Sequence, residues 1–245
     1  MEEEHHRRPS RTVIEVIVVG EGQTEETFVR DVLAPPLATN RIFLYPRLIR
    51  TSPFGQGGAL RYARVLRDLR NTLRQRADTY VSTFFDLYRL DPEYPGYDEG
   101  HVLSDPLARA ALIERRFRQA VVAEAGCRED RFLPHIQPYE FEALLFSDAS
   151  RLGEIEPEWK PLVGKLVAMR AAVSSPEYID DGPDTHPSER LQRVLRPRYR
   201  KVLHGARATL QIGLPQIAEQ CHHFAEWLNR LRGLRPLIGP GAAAP

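Results

Sequence analysis

VIEVIVVGEGQTEETF, residues 13–28, decides the fold. Val13, Ile14, Val16, Ile17, Val18 and Val19 make an almost unbroken β-branched run of strand length. Such a run reads as a central parallel strand buried on both faces rather than one with a wet side. Gly20 and Gly22 then break it, and Thr24 is placed to cap a helix beginning at Glu25. Strand, glycine turn and helix in this order set the turn at a strand's carboxyl end, where open α/β sheets bind their ligands. A phosphate cradle uses glycines with a lysine; this turn carries Glu21, with Glu25 and Glu26 just behind. Carboxylates there suit a hard divalent cation. Glu25 and Glu26 also fall where a helix dipole favours negative charge, which explains them equally well. Glu21 precedes the cap and has no such explanation.

Outward from this stretch, strand patterns alternate with helical ones as far as Ser150. Ile42–Ile49 and Tyr80–Asp86 read as strands, with Pro46 marking a bend or an edge in the first of them. Residues 131–138 supply a short fourth. Between them, Glu25–Leu33 reads as a helix stopped by Pro35 and Pro36. Ala59–Ala77 reads as a helix with an apolar stripe at Leu60, Ala63, Leu66, Leu69 and Leu73. A third helix starts at Asp105–Pro106 behind a Ser104 cap and ends at Gly126. The pattern predicts a mainly parallel sheet with helices on both faces over residues 12–150. Beyond it, 160–173, 188–195, 199–210 and 215–231 read as a helical C-terminal lobe over 151–235. Residues 1–11 and 236–245 read as disordered tails.

Two further acids lie at strand ends. Asp86 closes the sequence FFD, and Glu140 and Glu142 flank Phe141 just after the fourth strand. In a helix those two glutamates point about 200° apart, whereas in extended backbone they share a side. Three acidic contributions at strand ends predict that Glu21, Asp86 and one or both of Glu140 and Glu142 meet at one divalent-ion site, with Glu25 beside it.

The segments GEGQTEE (20–26), FFDLYRLDPEYPG (84–96), HIQPYEFEALLFSD (135–148), IDDGPDTHPSERL (179–191) and YRKVLHGA (199–206) together resemble a bacterial family known as domain of unknown function 4276, or RloG-like, and through it the Toprim-type metal nucleases. The likeness spans about residues 13–227. It implies a Toprim/Rossmann-like fold and a two-metal site using Mg²⁺ or Mn²⁺. Glu21 then corresponds to the catalytic acid/base glutamate and Asp86 to the first aspartate, a metal ligand. Glu140 or Glu142 completes the second ion's shell. Toprim sites carry a paired Asp-x-Asp, but here Leu87 and Tyr88 follow Asp86, so either Asp91 or the EFE glutamates compensate or the site has lost catalysis. The resemblance also implies phage defence or restriction, with a partner ATPase.

With 34 basic and 33 acidic residues, net charge does not advertise nucleic acid. Its distribution is more telling. Nine arginines face two aspartates between Arg41 and Asp78, seven basic residues face two acids between Asp184 and Arg207, and six acids face one arginine from Asp86 to Asp105. Arg61, Arg64 and Arg67 on one helix, with Arg190 and Lys201, are therefore candidate DNA or RNA contacts beside an acidic centre. A solvated face explains the same stripe. Two cysteines give no disulfide framework, and His and Cys spacings show no zinc motif, though His135 lies beside the EFE segment. No apolar run reaches membrane length and no signal-peptide core is seen, so a cytoplasmic protein with no membrane association is expected. The expected function is a metal-dependent nuclease. The competing readings are a non-catalytic module binding nucleic acid or an ATPase and, more weakly, a small-molecule phosphohydrolase.

Overall fold

The computed structural model describes residues 13–49, 61–179, 182 and 185–237. The two expected tails lie outside them, apart from 236 and 237, as do Ala59 and Leu60 of the expected Ala59–Ala77 helix and most of the 179–184 part of the IDDGPD segment.

The valine run forms β1, Ile14–Gly20. It pairs in parallel with β2 (Ile42–Leu48) on one side and β3 (Tyr80–Asp86) on the other, with Gly20 level with Leu48 and with Phe84. β3 continues the sheet to β4 (Phe132–Leu133) and β5 (Ile136–Gln137), also parallel. The order is β2–β1–β3–β4, with β5 beside β3, so β2 is an edge strand and tolerates Pro46 without losing an inner ladder bond. The expected fourth strand is split in two at Pro134–His135.

Alternation along β1 sends its side chains into two separate cores. Val16 and Val18 pack with Phe28, Phe84, Phe141, Phe224 and Trp227 on one face. Ile17 and Val19 pack on the other with Val65, Leu69 and Leu73 of α3 (Tyr62–Gln75) and Ile113, Phe117 and Val121 of α5 (Pro106–Ala125). Each fully buried aliphatic side chain contributes about 1.5–3 kcal/mol, which is why an all-apolar strand settles in the centre. The helices after residue 150 share the first of these cores, covering that face of the sheet. They are α6 (Val163–Ala171), α7 (Pro187–Val194), α8 (Lys201–Ile212), α9 (Leu214–Gln220) and α10 (His222–Arg232).

Local expectations needed correction at four places. α1 spans Gln23–Phe28 with Gly22 as its cap residue, and Thr24 lies buried inside it rather than capping it. Pro35 and Pro36 do not stop the chain's helical course. A π turn over Val29–Leu33 precedes them, Ala34 N–H bonds to Val29 O, and both prolines enter the first turn of α2 (Ala34–Ala38), where no N–H is required. Asp105, not Ser104, caps α5, its carboxylate accepting from Leu107 N at 3.1 Å. The EFE segment is neither α-helix nor strand throughout: Glu140 is extended, and 3-10 turns run from Phe141 to Glu154 with a break at Asp148. One short helix, α4 (Tyr97–His101), lies in the acidic loop after β3.

Candidate functional site

The strand order reverses direction between β1 and β3: the connection from β1 leads outward to β2, and the next returns across β1 to β3. The crevice at the carboxyl ends of those two strands is the switch point at which such sheets bind ligands. Glu21 follows β1 and Asp86 ends β3, so both stand there. They are directly linked, since the Asp86 backbone N–H donates to Glu21 Oε1 at 2.9 Å. The Asp86 carboxylate accepts from Phe141 N at 2.7 Å, which draws the EFE turn onto the same edge. Glu25, from the first turn of α1, and Glu142, fully buried in the 3-10 turns, complete the group.

A cation from the far end of the chain faces these acids. Lys201 Nζ lies 3.0 Å from Asp86 Oδ2, 3.1 Å from Glu25 Oε1 and 3.4 Å from Glu142 Oε2. Only the Asp86 contact has hydrogen-bond geometry, and Glu25 Oε1 and Glu142 Oε2 remain buried oxygens without a hydrogen bond. Lys201 also sits 5.9 Å from the centroid of the Phe141 ring, while about a third of its side chain stays exposed. Its approach depends on Gly205, one turn further along α8. A Cβ at 205 would stand 2.8 Å from Thr24 Cγ2 and 3.0 Å from Phe141 Cε1, so only glycine lets α8 pack this close to α1 and the EFE turn. Gly22 has a similar use, for a Cβ there would come within 3.2 Å of Glu25 Oε2.

Four carboxylates around one ammonium cannot all ionise cheaply. Burial, then the Asp86 charge, pushes Glu21 up to about 8. Burial likewise takes Glu142 to about 8 despite Lys201, with Glu140, Asp86 and Glu25 adding repulsion. Burial also raises Glu25. Lys201 is held well above the ordinary amine range: desolvation opposes its charge, but Asp86, Glu142 and Glu25 outweigh it. Tyr199 donates its hydroxyl to Glu142 Oε1 at 3.2 Å, and burial beside that carboxyl makes it a very weak acid.

The structure therefore brings Glu21, Glu25, Asp86 and Glu142 together. Glu140 lies alongside but is otherwise engaged, accepting from Ser188 N at 2.9 Å, from Ser188 Oγ at 3.2 Å and pairing with His186 Nδ1 at 3.2 Å at the start of α7. Asp91 does not enter the cluster. It accepts from Tyr62 N at 3.0 Å, tying the start of α3 to the loop after β3. Arg61, the residue before that helix, and Arg64 and Arg67 on its first turns are exposed, whereas Arg70 pairs with Glu124 at 3.0 Å and Arg74 donates to Glu124 O at 2.8 Å, so these two later arginines bind α3 to α5. Arg190 donates to Thr185 O. Lys201 stands inside the acidic cluster rather than on a basic face. Sequence reasoning missed the roles of Tyr199, Gly205 and Tyr94, a buried tyrosine whose hydroxyl lacks a partner and feels the Glu21 charge. YRKVLHGA carried the signal for the first two.

Fold and site together define a parallel α/β protein with an acid-rich centre at its topological switch point. The chain matches a family model described as domain of unknown function (DUF4276) over residues 20–232 and belongs to that family. No curated protein and no solved structure matches it. Among the described residues, no helix is long and apolar enough to cross a membrane.

Proposed function

We propose that this chain hydrolyses phosphodiester bonds in DNA or RNA at the switch-point cluster, using Mg²⁺ or Mn²⁺. The observation that carries the reading is the pair of buried carboxylate oxygens, Glu25 Oε1 and Glu142 Oε2, left without hydrogen bonds beside Asp86 Oδ2. Such an all-oxygen donor set fits a hard divalent ion, held by Asp86, Glu142 and Glu25. The bound ion supplies charge neutralisation at the phosphate and a more acidic water. Glu21, anchored by the Asp86 N–H, would take up the proton from the attacking water once the ion's positive charge favours its carboxylate form. Lys201, partly exposed, turns from the carboxylates to a phosphate oxygen, and Arg61, Arg64, Arg67 and Arg190 track the flanking backbone. The resemblance to Toprim-type nucleases supports this chemistry, and the phage-defence setting and partner ATPase rest on the resemblance alone.

One observation favours a second reading. Lys201 already supplies a cation to three of the carboxylates, and Tyr88 stands where a paired aspartate is expected. On that reading the cluster is a neutralised structural centre in a module that binds nucleic acid or a partner. Incubating the chain with single- and double-stranded DNA and RNA, in Mg²⁺, Mn²⁺ or EDTA, separates the two. The nuclease reading expects metal-dependent cleavage lost in Asp86→Asn and Glu21→Gln. Cleavage equal in both variants and in EDTA, or none with any substrate, rejects it in favour of the module.

A further inference from the structure

A second polar group is buried away from the carboxylate cluster, where α5, the β4–β5 junction and α10 meet. Glu114 lies on the otherwise apolar face of α5, His135 immediately precedes β5, and His223 is the second residue of α10; all three are buried. One potential ligand atom from each lies within 4.8 Å of the others. Glu114 Oε1 is the common partner. Ile136 N donates to it at 2.7 Å, His223 Nε2 lies at 2.8 Å, and His135 Nδ1 stands at 3.6 Å.

The last distance is too long for a hydrogen bond, and His135 Nδ1 has no partner in a fully buried ring. Its other nitrogen, Nε2, pairs with Gln137 Oε1 at 3.2 Å. An amide oxygen only accepts, so the ring proton sits on Nε2. Nδ1 then turns its lone pair towards a carboxylate oxygen, an arrangement that repels unless positive charge lies between. The Gln137 amide nitrogen, also buried, finds no hydrogen-bond partner.

We infer that Glu114, His135 and His223 form a binding site for a divalent transition-metal ion of the Zn²⁺ class, with the Glu114 carboxylate, His135 Nδ1 and His223 Nε2 as ligands. Two imidazoles and one carboxylate are a borderline donor set suited to Zn²⁺, unlike the all-oxygen cluster at the sheet edge. Ligand bonds of about 2.0–2.2 Å in tetrahedral array set neighbouring donors about 3.4 Å apart; the 2.8 and 3.6 Å separations bracket that value. A supporting shell is in place. Gln137 fixes the His135 tautomer, Trp227 stacks on the His135 ring at 4.7 Å, and Arg230 Nη2 lies 3.7 Å from Glu114 Oε2. Glu177 accepts from His223 N and Phe224 N at 2.9 and 3.0 Å, which fixes the first turn of α10. Glu114 and His223 also line a cavity of about 230 Å³ with Arg115, Arg118, Glu226 and Arg230, giving an entry path and room for a fourth ligand, a water or an anion.

Burial, with the neighbouring His223 charge, keeps His135 well below the usual imidazole range. Burial opposes charge at His223 too, but Glu114, Glu177 and Glu226 overcome it and raise its pKa. An ion needs a free lone pair on each imidazole, so affinity falls as pH drops.

The test is a calorimetric titration of the EDTA-stripped, dialysed full chain with Zn²⁺ at pH 7.5, with melting temperatures recorded alongside. One saturable site per chain, in or below the micromolar range, is expected, with a rise in Tm and weaker binding at pH 5.5. His135→Gln and His223→Gln should each weaken binding by more than about 100-fold, and Gln137→Leu by about 10-fold as a supporting residue. Asp86→Asn should leave Zn²⁺ binding intact, which separates this site from the sheet-edge cluster. Absence of saturable binding and of any Tm rise in the wild-type chain overturns the inference without recourse to variants. Undiminished binding in folded His223→Gln, or its loss in Asp86→Asn, does the same.

Discussion

Replacing Glu142 by glutamine should stabilise the metal-free protein near neutral pH. Glu142 is fully buried, and its carboxyl is pushed up to about 8 by burial and by the acids around it, against the pull of Lys201. A carboxyl that holds its proton more tightly when folded favours the native state below its ordinary pKa of 4.5 and loses that advantage as pH rises through 8. At about 1.4 kcal/mol per pH unit, the interval from 4.5 to 7 removes about 3 kcal/mol. Glutamine has nearly the same shape, can still accept the Tyr199 hydroxyl and never ionises. For a chain of this length the gain at pH 7 corresponds to a Tm rise of about 6–12 °C, vanishing near pH 4.5. Glu21 titrates in the same range, so the figure is an upper value and the variant's profile becomes shallower rather than flat. The assay is urea or thermal unfolding in EDTA at pH 4.5, 6, 7 and 8. Adding Mg²⁺ at pH 7 should raise the wild-type Tm and leave the variant's nearly unmoved. A variant whose profile overlays wild type, or which is destabilised equally at every pH, would refute the reasoning.

Two other substitutions probe the surroundings. Gly205→Ala should lower Tm despite alanine's helix propensity advantage of about 1 kcal/mol, because the new methyl meets Thr24 and Phe141; an unchanged or raised Tm in thermal unfolding would remove the close-approach argument. Reversing Arg61, Arg64 and Arg67 to glutamate should weaken nucleic-acid binding and reduce the slope of log K against log salt by about 2–3; unchanged binding across a salt series returns these arginines to solvent.

The sheet was legible because burial on both faces leaves a plain trace: Val16 and Val18 enter one core and Ile17 and Val19 the other, so no polar residue interrupts the inner run. The meeting of Glu21 and Asp86 followed from strand ends alone. Lys201 could not be placed this way, since 115 residues separate it from Asp86 and only the packing of α8 brings them together. The choice between Glu140 and Glu142 stayed open because a 3-10 turn follows neither helical nor strand periodicity. The buried Glu114–His135–His223 group escaped a search for compact zinc motifs because Glu114 and His223 lie 109 positions apart. One signal was present: Glu114 falls among Ala110, Ile113, Phe117 and Val121 on the apolar face of α5, where an unpaired acid is expensive.

The dependence of the acidic centre on Lys201 has a consequence for how the protein comes into being. During synthesis the strands bearing Glu21 and Asp86 leave the ribosome long before α8. Until then their carboxylates lack their lysine, and the sheet face carrying Val16, Val18 and Phe84 lacks the helices that cover it. The centre is thus completed late, by a segment from the C-terminal part of the chain. A fragment ending near residue 150 would be both sticky and acid-strained, and the acidic centre cannot be completed without the carboxyl-terminal third.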